Sequence, residues 1–421
     1  MYSTYLKEIK EVYEKQLSLE EITFVIGNNS CDRDSALSSY LLSLGKNIKY
    51  NTITYNKSNN TAIFNKDPKH IFLPVLNIKR GTFNQRLDEK YVFDLFKIDE
   101  NLFWYISDEI FDENKLFLLH KNNNIKTNVI LVDHSKLCED QKFLADYVTE
   151  IYDHHQENHY HFKNLKNVHI KYPLGSCTTL ILLDYFFDVF PKCLIDPLFA
   201  ITAILIDTNK FETHFYNNRW VDLDKIVYKK IKSELMPNEK KMKYKEYYKN
   251  IIEAKYNIEK NLELGVEVLL LKDQKHFNWS GINIFWSSLQ VPYYKMQEKF
   301  GTNEIIAQMY SYYINKTKEE VLSQFFITNS NYDEKSRVFT IFNPINIPID
   351  IEELKNSLSF TLKNGFISIN CDNNFEENLK GVIFYIILDK SFTRKNVEPV
   401  FKELFTSLIS SNDLVADSDN N

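Results

Sequence analysis

Four short stretches of the chain carry carboxylates and imidazoles in patterns that suit hard divalent cations. Gly27-Asn28-Asn29-Ser30-Cys31-Asp32-Arg33-Asp34 follows an apolar run, Ile22–Ile26. In an extended turn the side chains of Asp32 and Asp34 point the same way and can face one cleft, while alternation turns Arg33 away. Val132-Asp133-His134 and Tyr152-Asp153-His154-His155 each close another apolar run, and Leu205-Ile206-Asp207-Thr208 ends a fourth. Taken singly, each has an ordinary explanation: Asp34 as a helix cap, Asp-His as a strand-end cap, Asp207 as a solvent contact. Asp153-His154-His155 is rarer, because adjacent imidazoles need two different jobs or repel one another when protonated. Together, three aspartates, one imidazole and a bridging carboxylate are what a pair of Mg²⁺ or Mn²⁺ ions requires. Such ions prefer oxygen with some nitrogen and sit about 3.5–4 Å apart in dinuclear hydrolases. A zinc site would call for thiolates, and among these stretches only Cys31 offers one.

The elements that must position these groups follow from the hydrophobic pattern. β-branched runs at Ile22–Ile26, Ile48–Tyr55, Leu73–Ile78, Val129–Val132 and Val148–Tyr152 alternate with helix-like stretches such as Ser35–Leu44. That alternation predicts an α/β fold whose N-terminal domain is a mostly parallel sheet with flanking helices, and ligands bind such sheets where strands end and loops begin. Asp222–Lys260, rich in Lys, Glu and Tyr and free of Gly, reads as long exposed helix connecting two domains. Val266–Leu271 then opens a second, smaller α/β region running to about Ser410. The expected division is 1–225 catalytic domain, 226–265 helical linker, 266–410 substrate-binding domain and 411–421 disordered tail.

Composition sets the outer bounds. The 421 residues suit two domains, with 44% apolar and 26% charged residues and an aromatic share of 14% that supplies bulky core. A net charge of −6 argues against a nucleic-acid partner, though bound cations and a local Lys/Arg cluster can still reverse the field within one cleft. Cys31, Cys138, Cys177, Cys193 and Cys371 form no C-x-x-C pair, which fits free thiols in a reducing compartment. Cys31 and Cys177 read as packing residues. Met1–Leu19 reads as an amphipathic helix rather than a signal peptide, and no stretch reaches the ~18 apolar residues of a membrane span. The expectation is a cytoplasmic protein with no membrane partner, and a monomer by default.

In order and spacing, Asn28-x-x-x-Asp32-x-Asp34, Val132-Asp133-His134, Asp153-His154-His155, Gly175-Ser176-Cys177 and Asp207-Thr208 resemble the DHH phosphoesterases. More narrowly they resemble the eukaryotic exopolyphosphatases, relatives of the family II inorganic pyrophosphatases. Leu73-Pro-Val-Leu-Asn-Ile-Lys-Arg80 looks like the exopolyphosphatase branch. Leu271-Lys-Asp-Gln-Lys-His-Phe277, Ser391-Phe-Thr-Arg-Lys395 and Pro399 look like the associated substrate-binding domain. The resemblance implies a DHH domain, that second domain, and an active site in the cleft between them. It implies one metal on Asp32 and Asp133 and a second on Asp34, Asp133, His154 and Asp207, with Asp133 bridging. Asn28 stands where the pyrophosphatases have a metal-binding His, weakening nitrogen ligation. His155 would act on the phosphate and Asp153 would orient the ligands. Lys275, Arg394 and Lys395 would neutralise substrate phosphates across the cleft.

Two such metals acidify a shared water and polarise phosphoryl oxygens, so the implied reaction is hydrolytic release of terminal phosphate from inorganic polyphosphate. The nearest rival substrate is pyrophosphate or a short or nucleoside polyphosphate. A nuclease fits poorly, given the acidic chain and a second half unlike the glycine-rich domain of those enzymes. A regulatory binding protein on the same fold is the rival from another class. Lys79, Arg80 and Arg86 read as a solvated face, with lining of a substrate channel as the sharper alternative.

Overall fold

The computed structural model describes the chain except residues 1, 16–18, 51, 57–60, 113–123, 157–160, 186–194, 236–240, 280–281, 306, 309–323, 332–335, 344–355, 357–358, 360–365, 373–381, 390, 395–396, 405 and 407–421. Two compact units are present, Met1–Ala254 and Lys255–Asn421. The expected tail lies outside the described residues.

In the first unit the strands are β1 (Glu21–Ile26), β2 (Ile53–Asn56), β3 (Thr61–Phe64), β4 (His70–Leu76), β5 (Trp104–Tyr105), β6 (Lys126–Val132), β7 (Val148–Asp153) and β8 (Asn167–Ile170). Six of them form one sheet in the order β5-β4-β1-β6-β7-β8, and every neighbouring pair is parallel. The apolar runs are continuous rather than alternating because a parallel sheet is buried on both faces. The chain leaves β1 for β4 on one side and returns to β6 on the other, so β1 and β6 flank the topological switch point. Register aligns Ile26 with Leu131 and Val132 with Tyr152, which brings the C-terminal ends of β1, β6 and β7 side by side. That is where such sheets bind ligands.

Helices α1 (Tyr2–Lys15), α2 (Arg33–Lys49), α3 (Leu87–Leu95), α4 (Cys177–Tyr185), α5 (Pro197–Ala200), α6 (Thr202–Asp207), α7 (Asp222–Leu235) and α8 (Lys241–Tyr256) complete this unit. The amphipathic reading of the N-terminus holds, since α1 buries Tyr2, Tyr5, Leu6 and Ile9. α2 is buried from Arg33 to Asn47, and its serines satisfy the sheet directly: Ser39 Oγ donates to Val25 O at 2.7 Å and accepts from Val75 N at 3.0 Å.

Two expectations change. Ile48 and Lys49 close α2 instead of opening a strand; the chain becomes extended only at Ile53, in a separate β2–β3 hairpin. Gly45 weakens the helix without ending it, and neither it nor one β-branched residue outweighs the packing of the buried turns around them. Asp222–Leu235 and Lys241–Tyr256 are helical but not exposed all round: Val227, Ile231, Tyr247 and Ile251 enter the first unit's core. The many Lys and Glu residues mark only the outer face of these helices.

The second unit carries α9 (Ile258–Glu263), α10 (Val266–Leu271), α11 (Tyr293–Phe300) and strands β9 (Gln274–Trp279), β10 (Ile282–Ser288), β11 (Gln324–Asn331), β12 (Ser336–Asn343), β13 (Phe366–Asp372) and β14 (Val382–Asp389). Its sheet runs β13-β14-β12-β11-β10-β9, with β10–β11 parallel and the other pairs antiparallel. A cluster around Val266, Leu269, Phe285, Val291 and Met296 forms a core of its own.

Candidate metal centre

The loop after β1 is built around Asn28. Its Oδ1 accepts from Ser30 N (3.0 Å), Ser30 Oγ (2.6 Å) and Cys31 N (3.2 Å), while its Nδ2 donates to Asp133 Oδ2 at 2.7 Å. Two backbone donors on Oδ1 fix which end of the amide is oxygen. Three donors saturate that atom, so Asn28 orients Asp133 instead of offering oxygen to a cation. This differs from the metal-binding part assigned to it on sequence grounds. Arg86, taken above as surface, is buried and clamps the same loop through Nε (2.9 Å) and Nη2 (2.7 Å) to Ser30 O. Arg80, by contrast, is partly exposed and bidentate to Asp108 at 2.7 Å for each contact.

Asp32 and Asp34 do not share an extended turn. Asp32 is the N-cap of α2, its Oδ1 accepting from Ser35 N at 3.1 Å, so it takes the capping part expected of Asp34. Asp34 lies in the first helical turn and accepts from the start of α4: Cys177 N (2.6 Å), Thr178 N (2.9 Å), Thr178 Oγ1 (2.7 Å) and Ser176 Oγ (2.7 Å). Arg33 turns away from the acids on either side, to Asp88 and to Glu89 at 3.6 Å, all three buried. Cys31 and Cys177 are buried, and burial raises both thiols, which agrees with packing.

Asp133 closes β6 with a left-handed backbone, φ 62°, which costs about 1–3 kcal/mol in a non-glycine residue and marks a position held by its surroundings. Its Oδ1 lies 3.1 Å from His154 Nε2, and Asp34 Oδ2 lies 3.6 Å from the same nitrogen. His154 Nδ1 donates to Leu174 O at 2.9 Å, which leaves the Nε2 lone pair facing the two carboxylates. Burial, then Asp34 and Asp32, drive the Asp133 carboxyl well above its ordinary range, against the pull of His154. Gathering negative charge in a buried site is unfavourable unless a cation joins it. His155 Nδ1 bonds Asp153 Oδ1 at 2.7 Å, and Asp153 is held below the carboxylate range chiefly by that contact, which overcomes its burial. Donor atoms of Asp133, His154 and His155 all lie within 4.8 Å of one another. The carboxylates of Asp34 and Asp133 and the buried His154 nitrogen are donors that suit a divalent cation.

Asp207 ends α6, and three residues with positive φ follow: Asn209 (47°), Lys210 (56°) and Phe211 (63°). Tyr248 Oη donates to Asn209 Oδ1 at 3.1 Å and steadies that turn from α8.

No family model matches the chain. A stretch of 327 residues, 76% of the chain, is 25% identical to the exopolyphosphatase PRUNE1 of Mus musculus and spans 63% of it. A stretch of 178 residues is 30% identical to the Rattus norvegicus protein of the same name, covering 42% of this chain and 33% of the relative. The chain therefore spans less than two thirds of these curated relatives. Its fold matches the crystal structure of a Methanococcus jannaschii protein assigned to the family II inorganic pyrophosphatases, with TM-score 0.55, 17% identity, and coverage of 90% of this chain and 98% of that one. That likeness speaks to the fold alone. The chain is thus similar in sequence to proteins named exopolyphosphatases and in fold to one assigned to the family II inorganic pyrophosphatases.

The second unit's basic candidates divide three ways. Lys275 is half-buried on β9, opposite Trp286 of β10. Arg394 donates Nη1 to Asp273 O (3.0 Å) and Trp286 O (3.2 Å) and Nη2 to Asp273 Oδ1 (2.8 Å), so its guanidinium is engaged within its own unit. Lys395 lies outside the described residues. Sequence reasoning misplaced Arg86 on the surface and missed the Leu174 carbonyl and Thr178. A backbone carbonyl leaves no trace in a sequence, and a lone Arg or Thr carries no pattern until the fold supplies its partner. No described helix is long and apolar enough to cross a membrane.

Proposed function

We propose that the chain is a divalent-metal-dependent phosphohydrolase that releases terminal phosphate from inorganic polyphosphate. The observation that carries this reading is the buried convergence of Asp34, Asp133 and His154, where burial and neighbouring acids push Asp133 toward its protonated form. The curated relatives, named exopolyphosphatases, support the polyphosphate arm.

In this reading Asp34, Asp133, His154 and Asp207 would hold one Mg²⁺ or Mn²⁺ and Asp32 and Asp133 the other, with Asn28 fixing the Asp133 carboxylate. Such ions supply Lewis acidity toward phosphoryl oxygens and an acidified water. The rest is done by the chain's own groups. Asp153 holds the Nδ1 proton of His155, so Nε2 is the atom that meets the phosphate, donating to it when the ring is protonated. Lys275 and Lys395 supply point charges for the phosphates, and Arg394 joins them by exchanging Asp273 for a substrate anion.

Phosphate release from long-chain polyphosphate and from pyrophosphate, measured side by side in Mg²⁺ and in Mn²⁺, tests the reading. Fast release from polyphosphate with little from pyrophosphate is expected, together with its loss on chelation and in Asp133→Ala. The reverse preference would move the chain to the pyrophosphatases. Near-normal turnover by Asp133→Ala would sink the metal reading, and metal binding without release from either substrate would favour a regulatory binding protein.

A further inference from the structure

Asp224 lies in α7, within the stretch read from sequence as an interdomain connection, yet it is fully buried. Its Oδ2 accepts from Gly175 N at 2.9 Å and from Val221 N at 3.0 Å, and its Oδ1 accepts from Thr179 Oγ1 at 2.6 Å. Gly175 and Thr179 bracket the segment that holds the candidate metal centre. Leu174 O receives His154 Nδ1, and Ser176, Cys177 and Thr178 donate to Asp34. The space around Gly175 is equally fixed: a Cβ there would stand 2.5 Å from Arg219 O and 2.7 Å from Thr208 Cγ2, beside Asp207. One buried carboxylate thus ties the loop and the first turn of α4 to α7, and through them sets the placement of His154 and Asp34.

We infer that Asp224 is a positioning residue for the metal centre, acting through the 174–179 segment and without touching the metal. The inference rests on the metal reading above and names a group outside the ligand set that governs metal affinity. Its hydrogen bonds, and not its charge, do this. An Asn at 224 can present its oxygen to the two N–H groups and its NH₂ to the Thr179 hydroxyl, which accepts as readily as it donates.

The experiment is a direct Mn²⁺ titration of the full chain by calorimetry, with the free ion followed by electron paramagnetic resonance, independent of any turnover. Asp224→Ala is expected to weaken Mn²⁺ binding by roughly 10–100-fold, the loss found when a group behind a ligand is removed. Asp224→Asn is expected to recover most of it. Val227→Ala, which opens the same core and removes no hydrogen bond, is expected to lower the melting temperature and leave Mn²⁺ affinity unchanged. A folded Asp224→Ala that binds Mn²⁺ as the unaltered chain does would overturn the inference, and so would equal weakening by Val227→Ala. If Asp224→Ala does not fold, Thr179→Val decides the matter: it removes one of the three contacts, and unchanged Mn²⁺ affinity in it overturns the inference. Failure of the unaltered chain to bind Mn²⁺ would overturn the metal reading itself. Loss of polyphosphate turnover with Mn²⁺ binding intact would overturn only the substrate assignment.

Discussion

At the scale of single residues, the centre depends on side chains that hold other side chains. Asn28 shows the pattern: its nitrogen fixes Asp133 and its oxygen gathers the turn at Ser30 and Cys31. Asn28→Ala leaves the Ser30 N–H and one Asp133 carboxylate oxygen short of partners, while Cys31 N keeps its bond to the Asn28 backbone carbonyl. It is expected to destabilise the fold by about 1–3 kcal/mol and to raise the Mn²⁺ concentration needed for half-maximal phosphate release. Denaturant unfolding and a metal titration of activity check the two halves, and an unchanged metal requirement would deny Asn28 its hold on Asp133. The ligand candidates themselves are legible in the sequence, because acids and imidazoles at the ends of apolar runs are visible without a fold. The part played by Asn28 is not legible, since nothing in the sequence tells which end of an amide faces a neighbour a hundred residues away.

At the scale of elements, α2 bears the most, since it is buried along its length and carries Arg33 between two proposed ligands. Arg33 pairs with Asp88 and Glu89 of α3 where all three are buried. Removing one partner of such a group leaves charge without compensation, at about 3–5 kcal/mol. Arg33→Met is therefore expected to lower the urea midpoint sharply, and Asp88→Ala added to it to restore part of the loss. An Arg33→Met chain as stable as the original would show that the pairing contributes nothing net. The parallel sheet and the strand-end sites are readable from the spacing of apolar runs. The extent of α2 and the buried faces of α7 and α8 are not, because Ile48 has the propensity of a strand and Lys-rich helices hide a narrow apolar stripe until a core is there to receive it.

At the scale of the whole molecule, the first unit carries a second set of polar contacts at the N-terminal ends of its strands. His70 meets Thr23 Oγ1 at 2.8 Å and Glu21 at 3.5 Å, and it stacks on Phe72. Burial brings this imidazole down to about 4; Glu21 raises it, while Lys126 and Lys46 oppose that rise. The unfolded chain protonates His70 below about pH 6.5 and the native chain does not until about pH 4, so native stability falls as pH drops through that window. The loss is about 3 kcal/mol at the lower end. His70→Gln is expected to flatten the pH 4–6.5 limb of the stability curve, and a limb of unchanged slope would place the titration elsewhere. The other feature with a molecule-wide consequence is the parallel sheet. Parallel neighbours cannot pair through short turns, so the groups from Asn28 to Asp224 come together only after long loops have closed, late on the folding route and at high contact order. A cation captured there stabilises the finished fold and not its transition state. Mn²⁺ should therefore slow unfolding in stopped-flow denaturant jumps and leave refolding rates nearly unchanged, making the metal a lock on the native state and no part of its nucleus.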